Sequence, residues 1–338
     1  MAEFTKSRNC GLRPHAKSHK SPFVAKKQMD AGAVGVCCQT LIEAEAMILN
    51  GIEHVLLTHN LASSGMIERF LSLVKNGDAK ILVDGPENAG MLSKAAMHRS
   101  LTVDVLVEVD VGNGKAGQEP GEPAAKFASW VSRQEGLKFK GLQCYEGNLQ
   151  LAIPSFETRK EKAVSTLGKI TSTINALKHQ GLVPEIVTAG GTGTYNITAG
   201  YPGITDIQPG SYIMMDRRYS EIDTTGSDFE QAMTVLSTVV STPTELRAVT
   251  DLGWKSIGIE YEALGWGGMP KPLIHGVTYS TGGDEHGVLK CERASSRPNV
   301  GDKVKFIPAH CDTTLNLHGV FYGTRGNDVE VVCPVARR

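Results

Sequence analysis

Five cations, Arg13, His15, Lys17, His19 and Lys20, crowd into the eight-residue run Arg13-Pro14-His15-Ala16-Lys17-Ser18-His19-Lys20. In an extended segment, Arg13, His15, Lys17 and His19 share one face. A face made of cations is a poor core, so it suits an anion or a cofactor; the alternative is a basic, solvated loop. Two glycine-rich stretches offer the other half of an anion site. Ala189-Gly190-Gly191-Thr192-Gly193-Thr194-Tyr195 and Gln208-Pro209-Gly210-Ser211-Tyr212 each follow a short strand-like run. Glycine lets backbone N–H groups approach an anion closely, and Thr192, Thr194 and Ser211 add hydroxyl donors. Neither stretch is a Walker loop or a GxGxxG turn opening a helix, so neither points to ATP or NAD. A third constellation lies near the C-terminus, at His310 and Asp312. In a strand, positions i and i+2 face one way, so this pair can hold one ion while Cys311 points away. Imidazole with carboxylate suits a harder ion such as Mn2+ or Mg2+, whereas thiolate with imidazole selects Zn2+.

The basic run resembles the Arg-Pro-His-x-Lys-Thr-His-Lys motif of the D-threonine aldolase and D-serine dehydratase family, pyridoxal-phosphate enzymes of the alanine-racemase fold type. The resemblance continues in Gly191-Thr192-Gly193-Thr194 and in Gly210-Ser211-Tyr212. It extends to Pro308-Ala309-His310-Cys311-Asp312-Thr313-Thr314-Leu315-Asn316-Leu317-His318, which is similar to the family's Pro-x-His-x-(Cys or Asp)-x-Thr-x-Asn-Leu-His signature. The resemblance implies pyridoxal phosphate as cofactor, with Lys17 as the lysine that condenses with its aldehyde. To form an imine, Lys17 must be neutral part of the time, and the cations beside it in sequence lower a lysine pKa. The two glycine loops would hold the phosphate. Tyr145, at the end of the sixth strand, stands at a rim where its ring could stack on the pyridine. His310 and Asp312 would bind a divalent metal. Asp312 follows the aldolase branch, since the dehydratase branch has cysteine there. Lys115 stands where the family has an arginine that binds substrate carboxylate, and a lysine pairs there as a point charge and not as a fork.

What these matches imply together is retro-aldol cleavage of D-threonine and related D-3-hydroxyamino acids to glycine and an aldehyde. One alternative is a zinc and pyridoxal-phosphate D-serine or D-threo-3-hydroxyaspartate dehydratase. An alternative of another class is a non-catalytic protein that binds pyridoxal phosphate. The resemblance also implies a homodimer.

Such residues need a scaffold that brings distant segments together. Strands are expected over 11–17, 33–37, 54–58, 80–84, 103–109, 139–145, 185–189 and 206–208. Helix patterns over 41–50, 66–75, 88–99, 124–134 and 157–179 lie between them. Such alternation implies parallel βαβ units. Eight strands close a TIM-like (β/α)8 barrel, and a doubly wound open sheet is the rival. Barrel enzymes hold phosphate after strands seven and eight, where both glycine loops fall. Pro14 cannot donate to a sheet ladder, so the first strand is not an ordinary one. Beyond about 225 the texture turns β-rich, with strands expected over 229–241, 245–249, 273–277, 303–307 and 329–335. The expected division is a PLP-binding barrel over 1–220 and a mostly β domain over 221–338 carrying the metal motif, the architecture of PLP fold type III. The resembling family has an extra strand and most of a helix before the basic run, so this chain is expected to start inside that helix.

Composition narrows the classes further. The chain has 338 residues and a net charge of -1, with 41% hydrophobic and 21% charged residues. That balance describes a globular protein with a substantial core and argues against a general nucleic-acid binder. No apolar run is long enough to span a bilayer and no secretory leader is visible, which points to the cytoplasm. Seven scattered cysteines without a CxxC pair read as reduced thiols.

Overall fold

A computed structural model of the chain describes residues 1–259 and 268–337. It divides into two compact units, Met1–Gly210 with Ala336–Arg338, and Ser211–Val335.

The first unit holds eight strands: β1 (Gly11–Leu12), β2 (Val36–Cys38), β3 (Val55–Leu57), β4 (Ala79–Val83), β5 (Val103–Glu108), β6 (Leu137–Gln143), β7 (Ile186–Ala189) and β8 (Asp206–Ile207). All are parallel, in the order β1-β8-β7-β6-β5-β4-β3-β2. The ends meet through a His15–Cys37 bridge and the Cys37 N–H, which donates to the Pro14 carbonyl at 2.8 Å. The sheet is therefore a closed barrel and not the doubly wound rival. Helices Leu41–Leu49, Ser64–Asn76, Pro86–His98, Glu122–Val131 and Phe156–His179 connect the strands, as the patterns predict. Their starts are local chemistry. Thr40 and Glu43 form a reciprocal capping box, and Ser63 caps the next helix. The helix Pro22–Asp30 was not expected; Pro22 at its first turn is the signal for it.

β5 shows how the sequence writes the barrel. Val103, Val105 and Val107 are fully buried and alternate with Asp104, Leu106 and Glu108. Leu106 packs with Cys37, Leu56 and Leu82 from β2 to β4 in a small apolar interior layer. Side chains two residues further along each strand point the same way. There the residues are polar: Gln39, Thr58, Asp84 and Glu108. Gln143 and Gln208 exchange amide hydrogen bonds across the same end, at 3.0 and 2.6 Å. The barrel interior thus ends in a polar ring at the C-terminal ends of its strands, where barrel sites are built.

The second unit is mostly β, as expected. Strands β9 (Val235–Thr244), β10 (Arg247–Thr250), β11 (Lys271–Pro272), β12 (Val277–Thr281), β13 (Gly287–Cys291) and β14 (Lys303–Ile307) form an antiparallel sheet in the order β11-β14-β9-β10-β13-β12. Its core gathers Val239, Ala248, Ile257, Leu289 and Phe306. β15 (Val320–Arg325) and β16 (Asp328–Pro334) form a separate hairpin. No helix among the described residues is long and apolar enough to cross a membrane.

Candidate active site

The expected first strand, 11–17, stops at Leu12. Pro14 cannot continue the ladder, and Ala16–Ser18 form a 3-10 turn. Arg13 and His15 still point one way, into the barrel, but the turn ends the alternation before Lys17 and His19. Arg13 turns into the barrel, where Nη2 and Nε meet the Asp206 carboxylate at 3.3 and 3.4 Å and Nη1 reaches the His54 carbonyl at 3.0 Å. His15 Nε2 lies 3.1 Å from the Thr58 hydroxyl, and His19 Nε2 lies 3.2 Å from Gln28 Oε1. Lys20 Nζ pairs with Glu43 at 3.5 Å. Lys17 alone of the five is more than marginally exposed. Its backbone N–H donates to His15 Nδ1 at 3.4 Å, which braces the turn. Burial pushes the Cys37 thiol well up, and the positive charges of Arg13 and Lys17 pull against it. The Lys17 ammonium is thus within electrical reach of the barrel interior.

Gly210, after β8, packs on this turn. A Cβ there would lie 2.4 Å from Ser18 Oγ and 3.2 Å from the His15 carbonyl. Ser18 Oγ is buried and has no hydrogen-bond partner in the protein. An orphaned hydroxyl one residue from the amine, beneath a glycine loop, suits a ligand rich in acceptor oxygens, such as a phosphate ester. After β7 the chain makes the second loop. A Cβ on Gly191 would meet Gln150 Oε1 at 2.5 Å and the Tyr145 ring at 3.1 Å. The Tyr145 ring is therefore packed against this loop, and the Tyr145 carbonyl accepts from Asn113 Nδ2 at 2.6 Å.

The loop is built on side chains that no motif reveals. Glu146 is buried; its carboxylate accepts from the Gly190 N–H at 3.0 Å, from Thr194 Oγ1 at 2.7 Å and from Thr198 Oγ1 at 3.3 Å. Burial raises the Glu146 pKa in spite of these donors. Gln150 Oε1 accepts from the Gly193 N–H at 2.8 Å, and Thr194 Oγ1 accepts from the Gly191 N–H at 3.1 Å. Arg159, fully buried, donates to the Gly193 carbonyl at 2.7 Å. The N–H groups of Gly191 and Gly193 and the Thr194 hydroxyl are thus spent on the loop's own frame. Thr192 is buried at its apex. Glu146, Gln150 and Arg159 escape a sequence reading because nothing in their spacing marks them as partners of a loop some forty residues away.

Ser211 and Tyr212 belong to the second unit. The Ser211 hydroxyl pulls the Cys311 thiol pKa down against its burial, and the Tyr212 ring meets Phe229 edge-on at 5.7 Å. His310 and Asp312 are in this unit too, but not on a strand. β14 ends at Ile307, His310 is the N-cap of a short helix, Cys311–Leu315, and Asp312 lies in its first turn. The expected pleat, with Cys311 pointing away, is replaced by a helical turn. A helix spreads three successive residues over neighbouring directions instead of opposite faces. His310 Nε2 and Asp312 Oδ2 still approach to 3.8 Å, a span that one ion can bridge with bonds of about 2.1 Å. Cys311 turns inward, its thiol 3.4 Å from Asp312 Oδ1. Burial pushes that thiol well up, with Asp216 and Asp312 adding to the shift.

The signature residues beyond the pair are anchors. Thr314 Oγ1 accepts from the Gly258 N–H at 3.1 Å, and His318 Nε2 lies 2.9 Å from the Ser256 carbonyl. Lys115 is exposed on the loop after β5. That loop is shaped by the Asp110 carboxylate, which accepts from the N–H groups of Gly112, Asn113 and Gly114.

Among known proteins, residues 4–218 match the family of the alanine racemase N-terminal domain, and residues 232–324 match a serine dehydratase domain. The 3-hydroxy-D-aspartate aldolase of Paracoccus denitrificans (strain Pd 1222) is 35% identical over all of this chain and 87% of its own length. The crystal structure of D-threonine aldolase from Filomicrobium marinum superposes with a TM-score of 0.95 at 38% identity, covering 99% of this chain and 90% of that one. A more distant relative, the D-threo-3-hydroxyaspartate dehydratase of Delftia sp. (strain HT23), is 23% identical over 90% of this chain and 84% of its own length.

Proposed function

This chain belongs to the alanine racemase N-terminal-domain family and, within it, to the group of D-threonine aldolase and 3-hydroxy-D-aspartate aldolase; from that premise we propose that it cleaves D-3-hydroxyamino acids between Cα and Cβ. The products are glycine and an aldehyde. The enzyme is a carbon–carbon lyase of the pyridoxal-phosphate class.

Lys17 would hold the cofactor aldehyde; its phosphate would lie against the loops after β7 and β8, with Gly191, Gly193 and Thr194 framing the first loop around Thr192, and with Gly210, Ser211 and Tyr212 in the second. Tyr145 would flank the ring. When bound, pyridoxal phosphate supplies an electron sink for the carbanion at Cα, and a divalent ion supplies Lewis acidity at the β-hydroxyl. The protein's share is placement. His310 through Nε2 and Asp312 through Oδ2 offer the ion one nitrogen and one oxygen. That donor set favours Mn2+ or Mg2+ over Zn2+. The observation that carries the aldolase reading is this carboxylate, standing where the dehydratase branch has cysteine. The division into a PLP-binding barrel over 1–220 and a metal-bearing domain over 221–338, a homodimeric state and a cytoplasmic site of action complete the proposal by family resemblance.

The test mixes purified protein, pyridoxal phosphate and Mn2+ with D- or L-threonine. Acetaldehyde and glycine should form from D-threonine. Acetaldehyde from the L-isomer alone would overturn the stereochemistry. Ammonia with a keto acid in place of acetaldehyde would point to the dehydratase, and cofactor binding without turnover would point to a carrier.

A further inference from the structure

We propose that Asp216 is a positioning residue that fixes the ring and the tautomer of His310 and so sets the affinity of the metal site; this rests on the reading that His310 and Asp312 bind the ion. Asp216 is completely buried. A buried carboxylate is costly unless every lone pair finds a donor. Its Oδ1 accepts from the Tyr219 N–H at 2.9 Å, capping the short helix Arg217–Ser220. Capping leaves Oδ2 over, and Oδ2 is aimed elsewhere. It lies 2.7 Å from His310 Nδ1 and accepts from the Cys311 N–H at 2.9 Å.

The backbone is arranged to hold it there. Met215, the residue before, is one of few non-glycine residues with positive φ, at 53°, and its N–H is tied to the Ser211 carbonyl at 2.7 Å. The Arg217 N–H donates to the Pro308 carbonyl at 3.0 Å, which locks this segment beside the one that carries His310. At 2.7 Å, Asp216 and His310 are in hydrogen-bond contact, so Asp216 acts on the ring and is not itself the ion's ligand through that atom.

Oδ2 also takes the Cys311 N–H, and as the acceptor from His310 it places the ring proton on Nδ1. That leaves Nε2 unprotonated, on the side where Asp312 Oδ2 stands at 3.8 Å. This is the arrangement by which an outer carboxylate orients a metal-binding imidazole. Nothing in the sequence around Met214-Met215-Asp216-Arg217 announces it, since its partners lie 94 and 95 residues along the chain.

Asp216→Asn separates capping from positioning. Asparagine caps as well as aspartate does. With its oxygen on the Tyr219 N–H, its amide would present N–H groups to His310 Nδ1 and to the Cys311 N–H. The ring must then move its proton to Nε2 or lose the contact. The test titrates Mn2+ into metal-free wild type, Asp216→Asn and His310→Ala, read by calorimetry and Mn2+ EPR, with no turnover involved. Asp216→Asn should bind Mn2+ about 10- to 100-fold more weakly. Histidine-labelled 15N NMR of the metal-free wild type should place the His310 proton on Nδ1, and this needs no folded variant. Unchanged Mn2+ affinity in Asp216→Asn, with affinity lost in His310→Ala, overturns the positioning role alone. Unchanged affinity in His310→Ala overturns the metal reading and this inference with it. A proton on Nε2 in the wild type also overturns the inference.

Discussion

Glu108 ends β5 inside the barrel mouth, and its carboxyl group makes a pH signature that Glu108→Gln should remove. Burial, the nearby Asp84 charge and, less strongly, Asp110 raise its pKa from 4.5 to about 7, against the pull of the Asn60 amide, which donates to Oε2 at 3.2 Å. The folded protein therefore holds this proton more tightly than the unfolded chain. Between these two pKa values the native state binds more protons, so stability falls as pH rises through that window. The stabilisation is whole below 4.5 and gone above about 7. A rise of that size corresponds to about 3 kcal/mol, since each pKa unit is worth about 1.4 kcal/mol. Glutamine keeps an oxygen for Asn60 and cannot ionise. Relative to wild type, Glu108→Gln should gain about 3 kcal/mol at pH 8 and under about 1 kcal/mol at pH 5. Urea unfolding followed by far-UV circular dichroism across that range measures the difference. A gap that stays constant with pH, or that widens toward acid, would refute the reasoning.

Gly193→Ala should disturb the loop after β7, because its Cβ would sit 2.4 Å from the Gln150 carbonyl oxygen and 3.0 Å from its Cα, backbone atoms that cannot swing away. Overpacking of that kind costs about 1–3 kcal/mol, so pyridoxal phosphate titrated by absorbance should bind roughly 10- to 100-fold more weakly. Asp312→Cys should invert the metal preference, with Zn2+ binding more tightly than Mn2+ in competition titrations, because thiolate with imidazole is a zinc donor set.

Much of the barrel is legible because its rules are local. Val103, Val105 and Val107 alternate with Asp104, Leu106 and Glu108, and that pattern alone gives a strand with one face under helices. Thr40 and Glu43 mark a helix start by themselves. Where the sequence misleads, tertiary partners decide. The alternation of Arg13, His15, Lys17 and His19 suggests a single cationic face, yet the turn over Ala16–Ser18 ends it after His15, and His19 pairs with Gln28 instead. At His310 the spacing fits a strand as well as a turn, and the chain beyond Ile307 takes the turn. Glu146, Gln150, Arg159 and Asp216 are invisible in one sequence because their partners lie far along the chain and no short motif contains both ends. The family resemblance reaches further than the pattern does at Lys17 and at Asp312, where the residue types alone fit several chemistries.

The measurement that reaches the central claim most directly is product formation from D-threonine after chelation, with metals restored one at a time. Chelated protein should form no acetaldehyde, Mn2+ or Mg2+ should restore acetaldehyde and glycine, and neither should restore them in His310→Ala or Asp312→Ala that still bind pyridoxal phosphate. Undiminished acetaldehyde from the chelated protein, or from either variant, would contradict that claim.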